Sequence, residues 1–254
     1  GNHDSVIAVG GGSVIDLAKL VAFMALQTRP IWDFEDVGDN WMLAEANKIY
    51  PIIAIPTTAG TGSEVGRAGV LINSDTARKV IIFHPKILPS IVIADPNTTL
   101  GMPANLTAGT GMDALAHCLE AYCAPSFHPM AEGIALQGIL LIKENLEQVY
   151  HDGGNISARA NMLAAAMMGA TAFQRGLGAM HAISHPIGGI FNTHHGMTNG
   201  VLMPFVLDWN RSLIENRIDN LTHYINIPSG FDGFRDWIIK LRKNIGVPNG
   251  LASL

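Results

Sequence analysis

The amino-acid sequence predicts a protein of two halves, an α/β half over residues 1–101 and an all-helical half over residues 102–254. In the first hundred residues, short apolar runs alternate with glycine-rich loops and a helical segment, which is typical of a parallel, doubly wound sheet. After Asp95 and Pro96, apolar residues recur at helical spacing, and no convincing strand interrupts them. This change of pattern places the boundary near residue 101.

The strands of the first half are predicted from short runs of β-branched and apolar residues. Ser5–Val9 is such a run and ends at three glycines, after which Ser13–Leu26 follows a helical period. Tyr50–Ile55 is the second predicted strand, and Val80–Phe83 and Ile91–Ala94 are two more. We expect these strands to form the parallel sheet.

The second half is predicted to consist of long helices. Its most apolar stretch, Ala160–Phe173, is shorter than the roughly 18–20 residues of a membrane span, so we expect a buried helix there. The segments with helical periodicity are Ala104–Tyr122, Met130–Tyr150, Ser157–Phe173, Leu177–His185 and Gly200–Glu215.

The composition excludes several classes of protein. A net charge of -5 argues against nucleic acid or an anionic membrane as a partner. The two cysteines, Cys118 and Cys123, are five residues apart in one helical stretch, a spacing that disfavours a disulfide. The chain opens into a strand rather than a signal peptide, so we expect a cytoplasmic protein.

Two glycine-rich loops follow predicted strands. Gly10–Ser13 allows a phosphate to approach backbone N–H groups at the start of a helix, whose dipole favours an anion. Thr57–Ser63 offers hydroxyls and glycines at the carboxyl end of a strand, where open α/β sheets bind ligands. The alternatives are a plain turn before a capped helix and a Thr/Ser-rich turn without function.

A carboxylate and several histidines occur at metal-ligand spacing in the helical half. Asp113 and His117 are four residues apart and therefore share one helix face. An imidazole and a carboxylate suit Zn²⁺ or Fe²⁺ better than Ca²⁺. A simple helix pair and core histidines are the alternative. The spacing leaves the remaining ligands open, as two of His181, His185, His194 and His195.

One residue complicates that choice. His181 and His185 are also four residues apart, but Pro186 follows directly and is expected to disrupt the helical turn at His185. Burying so many polar groups among apolar residues would be costly without a shared purpose, which favours a metal site.

Four motifs in order resemble the iron-containing (group III) alcohol dehydrogenases. They cover the chain from its start to about Pro204 and are GGGSVIDLAK (residues 10–19), TTAGTGSE (residues 57–64), TGMDALAH (residues 110–117) and the histidine-rich block ending at His195-Gly196. The resemblance implies a Rossmann-like domain over 1–101 and a helical metal-binding domain over 102–254, the architecture of dehydroquinate synthase, with the active site between them.

The resemblance also implies a role for individual residues. It implies Fe²⁺, or Zn²⁺, on Asp113, His117, His181 and His195, with His185 beside the ion as a catalytic proton-relay residue. It implies NAD or NADP, with the pyrophosphate on Gly11, Gly12 and Ser13, and with Asp16, Thr57, Thr58, Thr61 and Lys79 lining the rest of the cofactor. The implied reaction is hydride transfer between the nicotinamide and a small alcohol or aldehyde, in a homo-oligomer that we expect to be a dimer.

This sequence departs from the family at two points. Val65-Gly66-Arg67 stands where the family commonly has a threonine near the nicotinamide ribose, which puts local cofactor contacts in question. Family members also have a further stretch before the first glycine loop, which discriminates NAD from NADP, and another after Leu254. The chain is therefore expected to be a fragment whose activity is in question.

Other functions fit parts of the pattern. Glycerol dehydrogenases and dehydroquinate synthases resemble this arrangement, but TGMDALAH with a fourth ligand fits the iron-type enzymes better. A metal-dependent hydrolase would have no use for the two glycine loops. A non-catalytic oligomer or filament subunit would account for the apolar helical half.

Overall fold

The computed structural model describes residues 3–76 and 78–254. An α/β half is followed by a half made of helices, which confirms the fold class expected from the sequence. The strands are β1 (Val6–Gly10), β2 (Ile52–Pro56), β3 (Ala68–Asn73), β4 (Arg78–Phe83) and β5 (Ile91–Val92). The helices are α1 (Gly12–Met24), α2 (Ala104–Cys123), α3 (Pro129–His151), α4 (Ile156–Ala172), α5 (Ala179–Phe191), α6 (His195–Tyr224) and α7 (Gly230–Asn244).

Three strands form the parallel sheet, in the order β1, β2, β5. Val6 pairs with Ile52 and Gly10 with Pro56, so β1 and β2 end at the same edge of the sheet. Each strand is followed there by a glycine-rich loop, and the two loops consequently lie side by side. The sequence-based assignment of these strands is confirmed to within a few residues.

The strand predicted at Val80–Phe83 does not join this sheet. It belongs to β4, which pairs antiparallel with β3, a strand that the sequence analysis missed. The connection between Asn73 and Arg78 is far too short for the crossover that a parallel pair needs, so only a hairpin is available. Within the turn, the Asp75 N–H donates to the Asn73 side chain at 3.0 Å.

The five helices predicted in the second half are all present, but two are longer than expected. Helix α5 continues through Pro186 to Phe191, so the expected disruption at His185 is wrong. Pro186 removes the N–H that would bond the Ala182 carbonyl, and both residues are exposed, so solvent can satisfy that carbonyl. Helix α6 also passes through a proline, and α7 was not predicted.

Helix α2 is the centre of the helical half. It is buried on every side from Thr107 to Tyr122 and contacts α3, α4 and α6. Met112, Leu115 and Leu119 lie in its apolar core, each contributing roughly 1.5–3 kcal/mol by burial. Among the described helices, none combines the length and apolar character that a bilayer-crossing segment needs.

Candidate metal centre and nucleotide cleft

A cleft of about 1020 Å³ lies between the two halves. Both glycine loops line one side of it, and the histidine cluster lines the other. A volume of this order suits an organic cofactor together with a small substrate. The sequence analysis assigned twelve residues to cofactor or metal binding, and eleven of them line this cleft. The twelfth, Thr57, is not among the described lining residues.

The first glycine loop leads directly into helix α1. Gly11 is the N-cap residue, and no side chain caps the helix, so the N–H groups of its first turn have no side-chain partner. A Cβ atom on Gly12 would lie 2.6 Å from Thr61 Oγ1, so the two glycine loops touch at this point. This uncapped helix start, with Ser13 beside it, can bind an anion such as a phosphate.

The second loop is attached to the first. The Thr57 N–H donates to the Gly10 carbonyl at 2.9 Å, so the backbone of Thr57 links the two loops. Thr58 and Thr61 are on the cleft wall. A hydroxyl pair therefore lies next to the uncapped helix start.

Asp16 is occupied by contacts within the protein. Its carboxylate accepts a hydrogen bond from Ser63 Oγ and another from the Val70 N–H at 3.2 Å. The buried Lys19 ammonium donates to the same Ser63 hydroxyl at 2.8 Å. Burial raises the pKa of Asp16, and burial lowers the pKa of Lys19 to about 8. Asp16 thus connects α1, the second loop and β3, while bordering the cleft.

Asp113 is the common neighbour of three imidazoles. Its Oδ1 lies 4.0 Å from His117 Nε2, 3.8 Å from His181 Nε2 and 3.4 Å from His195 Nε2. Asp113, His117 and His181 form a buried trio whose ligand atoms are all within 4.8 Å of one another. His195 is outside that trio and is partly open to the cleft.

Three helices bring these groups together. Asp113 and His117 are on one face of α2, as the spacing predicted. His181 is in the first turn of α5, and His195 is the first residue of α6. The His117 ring stacks on that of His181 and packs at a tilt of 35° against that of Phe173, with ring centroids 4.8 Å apart in each pair.

The two remaining histidines of this region have different surroundings. His194 is the N-cap of α6, and its Nδ1 accepts from the Met197 N–H at 3.3 Å. His185 borders the cleft, with its ring centroid 5.1 Å from that of His195. Burial, together with His195 and His181, lowers the pKa of His185 to about 4. A neutral imidazole beside the cluster can accept a proton.

The cluster has strong internal electrostatic coupling. Burial alone would raise the pKa of Asp113, but His117 and His195 hold it well below its usual range. Burial opposes a charge on His181, but the nearby Asp113 carboxylate and the Glu120 carboxylate, which is hydrogen-bonded to Nδ1, outweigh burial and raise the pKa of His181 to about 9. Burial lowers the pKa of His117 to about 4. Such perturbed groups in a cleft mark a functional site.

The donor set fits a single transition-metal ion. Two atoms that each bind one ion at about 2.1 Å are at most about 4.2 Å apart, and all three Asp113–histidine separations lie within this limit. The Asn199 amide nitrogen is 2.9 Å from Asp113 Oδ1 and 3.3 Å from Nε2 of both His181 and His195. Three of the four side chains therefore place a potential ligand atom within 3.3 Å of one amide nitrogen.

Sequence reasoning missed two polar residues of this site. Glu120 and Asn199 are both buried and contact the proposed ligands. Glu120 follows Asp113 by seven residues and Asn199 follows His195 by four, so helical periodicity alone could have nominated both. Among the described residues, the Asn199 Oδ1 atom is buried without a hydrogen-bond partner.

Comparison with known proteins matches both halves of the chain to the family that the sequence motifs resemble. The family model "Iron-containing alcohol dehydrogenase" matches residues 1–96, and "Fe-containing alcohol dehydrogenase family, C-terminal" matches residues 107–254. The chain is 40% identical to 4-hydroxybutyrate dehydrogenase of Cupriavidus necator, with 99% of the chain and 67% of that protein covered. It is 36% identical to NAD-dependent methanol dehydrogenase of Bacillus methanolicus, where the match covers 100% and 67%.

Solved structures share the fold at high similarity. A 1,3-propanediol oxidoreductase structure matches with a TM-score of 0.91 and 34% identity, covering 98% of this chain and 66% of the other. A sulfoacetaldehyde reductase of Bifidobacterium kashiwanohense, solved in complex with NAD⁺, matches with a TM-score of 0.89 and 31% identity, covering 98% and 65%. The chain thus spans about two thirds of the length of these relatives. A match to alcohol dehydrogenase 4 of Saccharomyces cerevisiae covers 82% of this chain and 54% of that protein.

Proposed function

Because the chain belongs to the iron-containing alcohol dehydrogenase family, we propose that it is a metal-dependent oxidoreductase acting on a small alcohol or aldehyde with a nicotinamide cofactor. The observation that carries the proposal is the convergence of Asp113 with His117, His181 and His195 on a cleft that both glycine loops line. A metal-dependent hydrolase would need the first feature but not the second.

The proposed cofactors follow from the donor groups and from the relatives. Fe²⁺ is the proposed ion, and Zn²⁺ accepts the same imidazole and carboxylate ligands. NAD or NADP is the proposed nucleotide, since one relative is named as NAD-dependent and a similar structure contains NAD⁺. We place the pyrophosphate at Gly11, Gly12 and Ser13, where the N–H groups of the first turn of α1 have no side-chain cap.

The rest of the cofactor would follow the cleft wall toward the metal site. Thr58 and Thr61 offer hydroxyl groups there, and Asp16 shapes the wall through its bonds to Ser63 and Val70. Lys79 is on the same wall and close enough to Asp113 for an electrostatic interaction. Lys79 can therefore donate to a cofactor hydroxyl between the two halves.

When bound, the metal ion would polarise a substrate oxygen and the nicotinamide would exchange a hydride. The protein's own side chains would orient the reactants and exclude water. Phe173 and Leu177 form an apolar border of the cleft next to the histidines, which favours a small, modestly polar substrate. An imidazole nitrogen of His185 accepts the proton released by the alcohol and passes it toward solvent.

The ligand assignment is tested by single substitutions. His181→Ala and His195→Ala should lose bound metal and NAD(P)H formation together, as measured by elemental analysis and by absorbance at 340 nm with short alcohols. His223→Ala, at an exposed position on α6, is the matched control and should retain both. Full activity in either ligand variant would overturn the assignment. The dimeric assembly, the cytoplasmic location and the domain boundary near residue 101 are further proposals that this experiment does not address.

A further inference from the structure

A buried carboxylate that is not one of the proposed ligands lies against the metal site. Glu120 is on α2 one turn beyond His117, so Asp113, His117 and Glu120 follow one another along the same helix face. Glu120 is 7% exposed, and within the described part of the chain its charged neighbour is His181 rather than a lysine or arginine. A carboxylate buried in this way is costly unless its oxygens are hydrogen-bonded.

Both oxygens of Glu120 contact the first turn of α5. Oε2 is 2.6 Å from His181 Nδ1, and Oε1 accepts from the Met180 N–H at 2.6 Å. A Cβ atom on Gly178 would lie only 2.9 Å from Oε1, so the chain passes very close to the carboxylate here. Glu120 therefore serves as an N-terminal cap for α5 and as the partner of the proposed ligand on that turn.

We propose that Glu120 is a positioning residue, which holds His181 with Nδ1 as the hydrogen-bond donor and Nε2 directed at Asp113. This inference rests on the proposed metal site. A carboxylate only accepts hydrogen bonds, so an imidazole facing it must present an N–H. When Nδ1 carries that hydrogen, the lone pair of Nε2 is available on the side of Asp113 Oδ1, 3.8 Å away. Carboxylates that hold ligating histidines in this manner raise metal affinity.

A capping role alone does not account for the arrangement. A cap requires one oxygen, which the bond to Met180 already supplies, whereas the second oxygen is directed at the His181 ring. Glu120→Gln separates the two roles, because a side-chain amide has one acceptor in place of two. If the amide N–H faces the Met180 N–H, the bond to Met180 is lost. If it faces His181, Nδ1 must accept the hydrogen bond, which places the imidazole hydrogen on Nε2 and removes the lone pair proposed to bind the metal.

The test is a titration with Co²⁺, whose visible absorption reports its ligands. The wild-type protein and the Glu120→Gln variant are first stripped with a chelator and compared by thermal unfolding. We expect Glu120→Gln to bind Co²⁺ about 10–100-fold more weakly than wild type, with altered absorption bands. Glu147→Gln, which alters a carboxylate bonded to Asn244 at 2.8 Å, is the matched control and should bind as wild type does.

The outcomes separate this inference from the proposed function. If the wild type binds no Co²⁺, the metal site itself fails. If wild type and Glu120→Gln bind Co²⁺ equally well with identical spectra, Glu120 is only a helix cap and the inference is overturned, whatever the change in thermal stability.

A second measurement uses the wild-type protein alone, so it does not depend on the folding of a variant. In Zn²⁺-loaded protein with ¹⁵N-labelled histidine, NMR should show His181 protonated on Nδ1. Protonation on Nε2 would contradict the proposal.

Discussion

Gly196 offers a sharp perturbation of the proposed metal site. It directly follows His195 in the first turn of α6, and it is buried against α2. A Cβ atom added at Gly196 would lie 1.9 Å from the Gly109 carbonyl oxygen and 3.0 Å from Asp113 Cβ. Gly196→Ala must therefore push α6 away from α2 at the point where His195 approaches Asp113.

The size of the displacement decides the consequence. Since real Cβ contacts are essentially never shorter than 3.0 Å, the two helices must separate by about 1 Å or more. If the whole shift falls on the 3.4 Å between His195 Nε2 and Asp113 Oδ1, the separation grows to about 4.4 Å. Two ligands of one ion are at most about 4.2 Å apart, so His195 would leave the coordination sphere. The overpacking itself should cost about 1–3 kcal/mol of stability.

The assay compares Co²⁺ affinity with the free energy of unfolding in urea. Gly196→Ala should bind Co²⁺ at least about tenfold more weakly and unfold at lower urea concentration. Gly133→Ala is the control, because a Cβ at that position in α3 meets nothing within 4 Å and should raise stability by about 0.5–1 kcal/mol. If Gly196→Ala binds Co²⁺ as tightly as wild type does, the proposed contact between α2 and α6 at the ion is refuted.

Three further predictions address other parts of the cleft. His185→Ala should keep its metal content but lower turnover about 100-fold, since it removes the proton relay and no proposed ligand; equal loss of metal would make it a ligand instead. Gly12→Ala, whose Cβ would lie 2.6 Å from Thr61 Oγ1, should weaken NADH binding by about 1–3 kcal/mol in calorimetric titration while leaving Co²⁺ binding unchanged. Burial lowers the pKa of Lys19 to about 8 from an ordinary value of 10.5, so the unfolded chain binds more protons at this group between these pH values, and Lys19 should contribute up to about 3 kcal/mol of added stability across that window. Burial raises the pKa of Cys118 and Cys123 to about 12, and these thiols act in the opposite direction, so the measurement is the difference between wild type and Lys19→Met. Urea unfolding at pH 8 and pH 10 should show a change in stability that is more positive in wild type than in Lys19→Met; equal changes would contradict it.

The fold was largely predictable because the apolar residues of most elements follow the spacing of a strand or a helix. The runs at Ser5–Val9 and Tyr50–Ile55 are nearly continuous apolar sequences, which is typical of strands in a parallel sheet, although Ile7 and Val9 of β1 are exposed in this chain. The assignment failed at β3, where Gly69 and the alternation of exposed and partly buried residues give a weak pattern. It failed again at Pro186, because the cost of a proline inside a helix depends on whether solvent reaches the freed carbonyl.

The candidate site was only partly accessible from the residues themselves. Helical spacing alone placed Asp113 and His117 on one face of α2. It could not select among the four histidines between residues 181 and 195, because that choice depends on how α5 and α6 pack against α2. His194 shows the difficulty: it neighbours His195 in sequence but caps α6. Glu120 was missed because a search for ligands does not look for the residues that orient them.

The central claim is that Asp113, His117, His181 and His195 bind one metal ion in the cleft. Anomalous X-ray diffraction at the iron absorption edge, from crystals of protein loaded with Fe²⁺, tests it most directly. We expect one strong peak per chain, about 2.0–2.3 Å from Asp113 Oδ1 and from Nε2 of each of the three histidines. A peak elsewhere in the molecule would contradict the claim. So would a peak in the cleft that is not in contact with all four of these side chains.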